Sequence, residues 1–135
     1  TPGTTSTMVV SVYPTFQVKP TLTGNGDAGA IELKLSGAVT SSFEVSIVGK
    51  IKVNGSTHSS SAVVLAYSYS NATTKSVPLT STNINALAPK AIMAANSLND
   101  ADFEEWMLEI TLQTFTAGIT NKTLFVNSLS IPMEQ

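Results

Sequence analysis

Phe43-Glu44-Val45-Ser46-Ile47-Val48-Gly49-Lys50-Ile51-Lys52-Val53-Asn54-Gly55 is the stretch whose reading decides the fold. Phe43, Val45, Ile47, Ile51 and Val53 fall on one face, and Glu44, Ser46, Lys50 and Lys52 on the other, which is the two-residue period of a half-buried β-strand. Asn54-Gly55 closes it, because a tight type I′ turn needs positive φ at both central residues and this pair adopts that at least cost. Gly49 interrupts the alternation and predicts a bulge or bend.

Working outward, the same period recurs on both sides. Ile31, Leu33 and Leu35 alternate with Glu32, Lys34 and Ser36 across Ala30 to Val39. After the turn, Ser56 to Ser60 reads as loop, and Ser61 to Ser70 as a returning strand with Val63, Leu65, Tyr67 and Tyr69 on one face. Asn71 to Thr74 makes a turn, and Lys75 to Leu79 a short strand in which Pro78 removes a ladder donor and so predicts a sheet edge. Glu105 to Phe115 places Trp106, Leu108, Ile110 and Leu112 inward and reads as a central strand, and Leu124 to Ile131 as a last one before Pro132. Only the Ala-rich stretch near residues 84–104 breaks the pattern, as one or two short helical turns. About seven strands with one short helical insert predict an all-β protein, a single β-sandwich of immunoglobulin-like or jelly-roll type.

The 135 residues suffice for one domain that buries about two thirds of its unfolded surface. Charged residues make up only 12%, and Ser plus Thr roughly a quarter, so hydroxyls carry much of the solubility. All seven basic residues are lysines placed singly, with no arginine fork for phosphate, so nucleic acid is not an expected partner. The net charge of -2 leaves little field to steer a charged ligand. There is no cysteine, hence no disulfide and no thiolate metal site. No apolar run is long enough to span a bilayer, and the Thr/Ser/Gly leader without initiator Met or basic segment reads as a processed, extracytoplasmic product. Asn54, Asn71 and Asn121 head Asn-x-Ser/Thr triplets at expected turns or strand ends and are candidate N-glycosylation sites, although a chain this rich in Asn, Ser and Thr also produces such triplets by chance.

The residues offer little for catalysis, and no enzyme activity is expected. His58 is the single histidine and sits beside serines in sequence, but a Ser-His-acid triad is assembled from distant segments, and no Gly-x-Ser-x-Gly elbow occurs. Asp100, Asp102, Glu104 and Glu105 could in principle supply oxygen ligands to Ca²⁺. They lack an EF-hand pattern, and a helical turn capped by Asn99 accounts for them better. Gly24 to Gly29 lacks the lysine and helix of a phosphate loop and reads as a turn. No cofactor or metal is expected. Tyr13, Tyr67, Tyr69 and Trp106 could serve a sugar-binding surface, though the last three share faces with apolar neighbours and read as core.

The N-terminal segment stands apart. Met8, Val10, Val12, Phe16 and Val18 alternate on one face from Met8 to Val18, yet Pro14 lies in the middle. The stretch is either an edge strand of its own sandwich or an extended arm that completes a neighbour's sheet, and the Gly-rich connection from Lys19 to Gly29 is long enough to act as a hinge. The chain thus divides into residues 1–18, a candidate donor arm, and 19–135, the sandwich. In this plan, with the alternating segment Met8 to Val18 ahead of a Ser/Thr-rich sandwich, the chain resembles the donor-strand-complemented, pilus-like filament subunits of archaeal and bacterial surfaces. That resemblance implies a self-assembling structural glycoprotein of the cell surface that forms a homopolymer by strand donation. A virion structural protein (capsid, tail-tube or decoration subunit) and a carbohydrate-binding adhesive module are the alternative readings.

Overall fold

The computed structural model describes residues 6–14, 17–39, 43–67, 72–114 and 124–134. It is an all-β sandwich with a short helical insert. Its strands are β1 (Ser6–Val12), β2 (Thr23–Gly24), β3 (Gly29–Val39), β4 (Phe43–Val53), β5 (Ser56–Ser59), β6 (Val63–Tyr67), β7 (Ala72–Leu79), β8 (Phe103–Thr114), β9 (Leu124–Ser130) and β10 (Met133–Glu134). Helices α1 (Ser81–Leu87) and α2 (Pro89–Ala95) stand between β7 and β8.

The first sheet runs β1-β8-β4, with β5 and β6 sharing the far side of β4, and the second runs β7-β3-β9; β2 and β10 form a separate two-residue ribbon. All pairings are antiparallel. Seven of the ten strands are the ones expected from periodicity. The additions are the ribbon and β5, and β5 corrects the sequence reading: Ser56 to Ser59 is not loop but pairs with Val53 to Lys50 straight out of the Asn54-Gly55 turn. Both turn residues have positive φ, 49° and 82°, as a type I′ hairpin requires.

β4 and β8 are the spine. β4 alternates buried and less buried residues along its whole length. Its partner β8 contributes Trp106, Leu108, Ile110 and Leu112, all buried, and lies between β1 and β4 as the central strand expected. These pack against Ile31 and Leu33 of β3 and Val77 and Leu79 of β7 in one continuous core. Each such side chain contributes on the order of 1.5 to 3 kcal/mol by leaving water. Pro78 lies on β7, an edge strand of the second sheet, where a missing donor costs no ladder bond.

The helical insert closes the core with Ile84, Leu87, Ile92 and Met93. α1 starts at a reciprocal cap: Thr80 Oγ1 accepts from the Asn83 amide and Asn83 Oδ1 accepts from the Thr80 amide, each at 3.1 Å. It ends because Pro89 follows Ala88, which is held extended (φ -77°, ψ 154°) and leads into α2 with the proline in its first turn.

Gly49 is where this insert meets the sheet, and its role differs from the bend expected. Any Cβ at Gly49 would overlap the Leu87 carbonyl at the end of α1. The same carbonyl accepts the indole Nε1–H of Trp106 at 2.9 Å, on the neighbouring strand. The bulge lies instead on the opposite chain, since Ser59 pairs with Lys50 and Val63 with Ile47, so four steps on one side match three on the other. Ser60 fills that bulge: its amide donates to the Gly49 carbonyl at 2.8 Å and its Oγ accepts from the Gly49 amide at 2.9 Å.

Gly49→Ala is therefore expected to lower stability by about 1 to 3 kcal/mol or more through overpacking. Trp106→Phe, which removes the donor to a buried carbonyl and leaves a cavity where the second ring stood, should cost about 1 to 3 kcal/mol or more. Urea unfolding of the two variants checks both, and unchanged midpoints would show that the insert does not rest on this contact.

Candidate assembly strand and apolar groove

β1 pairs with β8 over its full length, from Ser6 opposite Thr114 to Val12 opposite Leu108. It has no ladder partner on its other side among the described residues, and lies beside β9 of the second sheet. Met8, Val10 and Val12 face the core but are only partly buried, whereas Val9 on the opposite face is 58% exposed. Of the expected assembly residues, Val18 also packs partly against the core, beyond the end of the strand, and Phe16 lies outside the described residues.

The strand stops sooner than the alternation to Val18 predicts. Continuing the ladder would bring Pro14, which has no amide hydrogen, opposite Trp106. β8 begins at Phe103, so its first part lacks a strand on that side among the described residues. In the step so created lies an apolar groove of about 370 Å³, lined by Val12, Tyr13, Pro14, Trp106, Leu129 and Met133 among others. Tyr13 and Leu129 are 57% and 37% exposed at its mouth.

The connection after β1 is fastened earlier than a Gly-rich hinge from Lys19 to Gly29 would be. Leu22 is buried at 2% exposure, its carbonyl accepts from the Lys90 amide at 3.1 Å, and its own amide donates to the Lys19 carbonyl. Next to it, Gly24 donates to Asn85 Oδ1 at 3.1 Å and pairs with Met133. Between Tyr13 and Thr21, Val18 is partly packed against the core and the Lys19 carbonyl takes that local bond from Leu22, and a stretch of this length spans up to about 30 Å when extended.

The other residues singled out from sequence fall elsewhere. His58 lies in β5 opposite Ile51, in a strand rather than a serine loop. The acidic stretch forms the expected capped turn, a 3₁₀ helix over Asp100–Asp102 in which the Asn99 side chain accepts from the Ala101 amide at 3.1 Å. Its acids also hold the β4–β5 turn: Glu104 accepts from the Gly55 amide at 2.6 Å and the Asp102 carbonyl from the Asn54 amide at 3.0 Å. Asn25 Oδ1 accepts from the Asp27 amide, as a local turn does. Asn54 is exposed at its hairpin tip, while Asn71, Asn121 and Tyr69 lie outside the described residues. Among the described residues no three His, Asp or Glu groups gather as a metal site, and no helix is long and apolar enough to cross a membrane.

No known protein family matches this chain, and no curated protein matches it.

β1 combines one-sided pairing with partial burial, the local signature of a segment that opens before the rest. In hydrogen-exchange measurements on the dispersed chain, the amides of Ser6 to Val12 are expected to exchange well before those of β4. Equal protection of the two strands would show that β1 is an integral part of the core.

Proposed function

We propose that this chain is a structural subunit of an extracellular filament, a homopolymer in which β1 of one copy takes the place beside β8 of the next. The observation that carries the reading is the attachment of β1: one ladder among the described residues, three half-buried side chains, and a following link hydrogen-bonded to another element at Leu22. A strand from another copy can repeat every contact that the chain's own strand makes, so exchange costs little in bonding, and the link sets how far the donor reaches. The weak charge favours close contact over long-range steering, and the exposed Asn54 offers a position for a surface glycan. Catalysis has no part in this reading.

The test uses the absence of cysteine. Thr7 and Gln113 face each other in the β1–β8 register. Facing residues of an antiparallel pair have Cα atoms about 4.5 to 5.5 Å apart, within disulfide reach. A chain with Thr7→Cys and Gln113→Cys, oxidised as a monomer, is expected to stay dispersed in electron micrographs and to form filaments once reduced. Filaments of normal length from the oxidised monomer would rule out strand donation.

A further inference from the structure

Asn-Gly occurs twice in the chain, at Asn25-Gly26 and at Asn54-Gly55. Both pairs are exposed, and both glycines have positive φ, 98° and 82°. Such a pair carries a reaction of its own, in which the amide nitrogen after the asparagine adds to the side-chain carbon Cγ. Glycine has no side chain to obstruct that approach. The two sites differ in what holds the reacting atoms.

At Asn54-Gly55 the nucleophile is taken. The Gly55 amide donates to Glu104 Oε2 at 2.6 Å and the Asn54 amide to the Asp102 carbonyl at 3.0 Å, so both turn amides are tied to the chain leading into β8. The flanking residues, Val53 and Ser56, are paired with each other. To reach Asn54 Cγ, the Gly55 nitrogen must give up a hydrogen bond to a carboxylate, and a bond of that kind corresponds to about tenfold or more in rate.

At Asn25-Gly26 the arrangement is reversed. Among the described residues the Gly26 amide has no acceptor. The Asp27 amide instead donates to Asn25 Oδ1 at 3.0 Å. The ring closed by this bond runs through Asn25 Cγ and the whole of Gly26, so one small turn holds both the carbon to be attacked and the nitrogen that attacks it. The donor also points at the oxygen on which negative charge develops as a nitrogen adds to Cγ, which is how an oxyanion hole works. Nothing lies within 4 Å of the place where a Cβ on Gly26 would stand, so the turn has room to change shape.

We infer that Asn25 is a site of self-catalysed modification, where Gly26 closes a succinimide in the folded chain, and that Glu104 protects Asn54 from the same reaction. A bond forms between the Gly26 nitrogen and Asn25 Cγ while the Cγ–Nδ2 bond breaks. The Gly26 amide proton passes through water to Nδ2, which leaves as ammonia. Water then opens the ring, giving aspartate by attack at Cγ or isoaspartate by attack at the main-chain carbonyl. Either product adds one negative charge. In isoaspartate the extra main-chain atom falls after the Asn25 amide that donates to the Pro132 carbonyl, so the β2–β10 ribbon is left in place. This reaction does not depend on strand donation.

The test follows both sites in the full chain, made without glycans and held at mildly alkaline pH, by peptide mapping with mass spectrometry that separates aspartate from isoaspartate. In the folded chain Asn25 is expected to convert about tenfold or more faster than Asn54, and within a few-fold of its own rate in concentrated urea. In urea the two sites should react within a few-fold of each other. Glu104→Ala is expected to raise conversion at Asn54 several-fold and to leave Asn25 unchanged, which also shows that the variant is folded. Comparable rates in the folded chain, or Asn54 ahead of Asn25, would overturn the inference. So would a gap between the sites that persists in urea, because it would then come from the neighbouring residues and not from the two turns. An Asn54 indifferent to Glu104→Ala would remove the protective role of that carboxylate and with it the inference as stated.

Discussion

The contact on which the rest of the molecule depends is the one between the Leu87 carbonyl, the bare backbone of Gly49 and the Trp106 indole. A helix ending over a sheet leaves carbonyls without partners, and an apolar sheet face cannot satisfy them. Here one strand supplies room by having no side chain, and its neighbour supplies a donor. The helical pair can then lie flush on the inner face, and Ile84, Leu87, Ile92 and Met93 join the same core as the strands. Leu22 belongs to that core too, so this arrangement also fixes where the N-terminal link is anchored.

Much of this was legible in the chain itself. Strand β4 spans the residues its alternation marks, because a two-residue period with one face fully buried leaves no other register. The Asn54-Gly55 turn and the edge position of Pro78 were equally plain, since each rests on a local backbone requirement. β5 was not: Ser56-Thr57-His58-Ser59 has no apolar alternation, and it is a strand only because the turn delivers it alongside β4. Nor was the role of Gly49, since the partner that needs the space arrives from a helix far along the chain.

The candidate assembly strand was half legible. Alternation from Met8 onward predicted a strand but not its end, because apolar spacing continues past Pro14 while the ladder does not. The groove beside Trp106 follows from that early stop and from β9 and the segment after it, so no single stretch of sequence announces it. Burial of Leu22 was also hidden, as one leucine in a Gly-rich connection carries no period.

The bulge at Ser60 has a consequence for sliding. A plain strand edge lets an added strand slip by two residues at a time with little change in bonding. At Ser60 the edge of β5 and β6 bends and its spacing changes, with the Ser60 hydroxyl and amide both taken up by Gly49. The bulge is thus a fixed stop at the Val63 end of β6. A strand laid along that edge finds its place at one end, as an object pushed against the end of a shelf does.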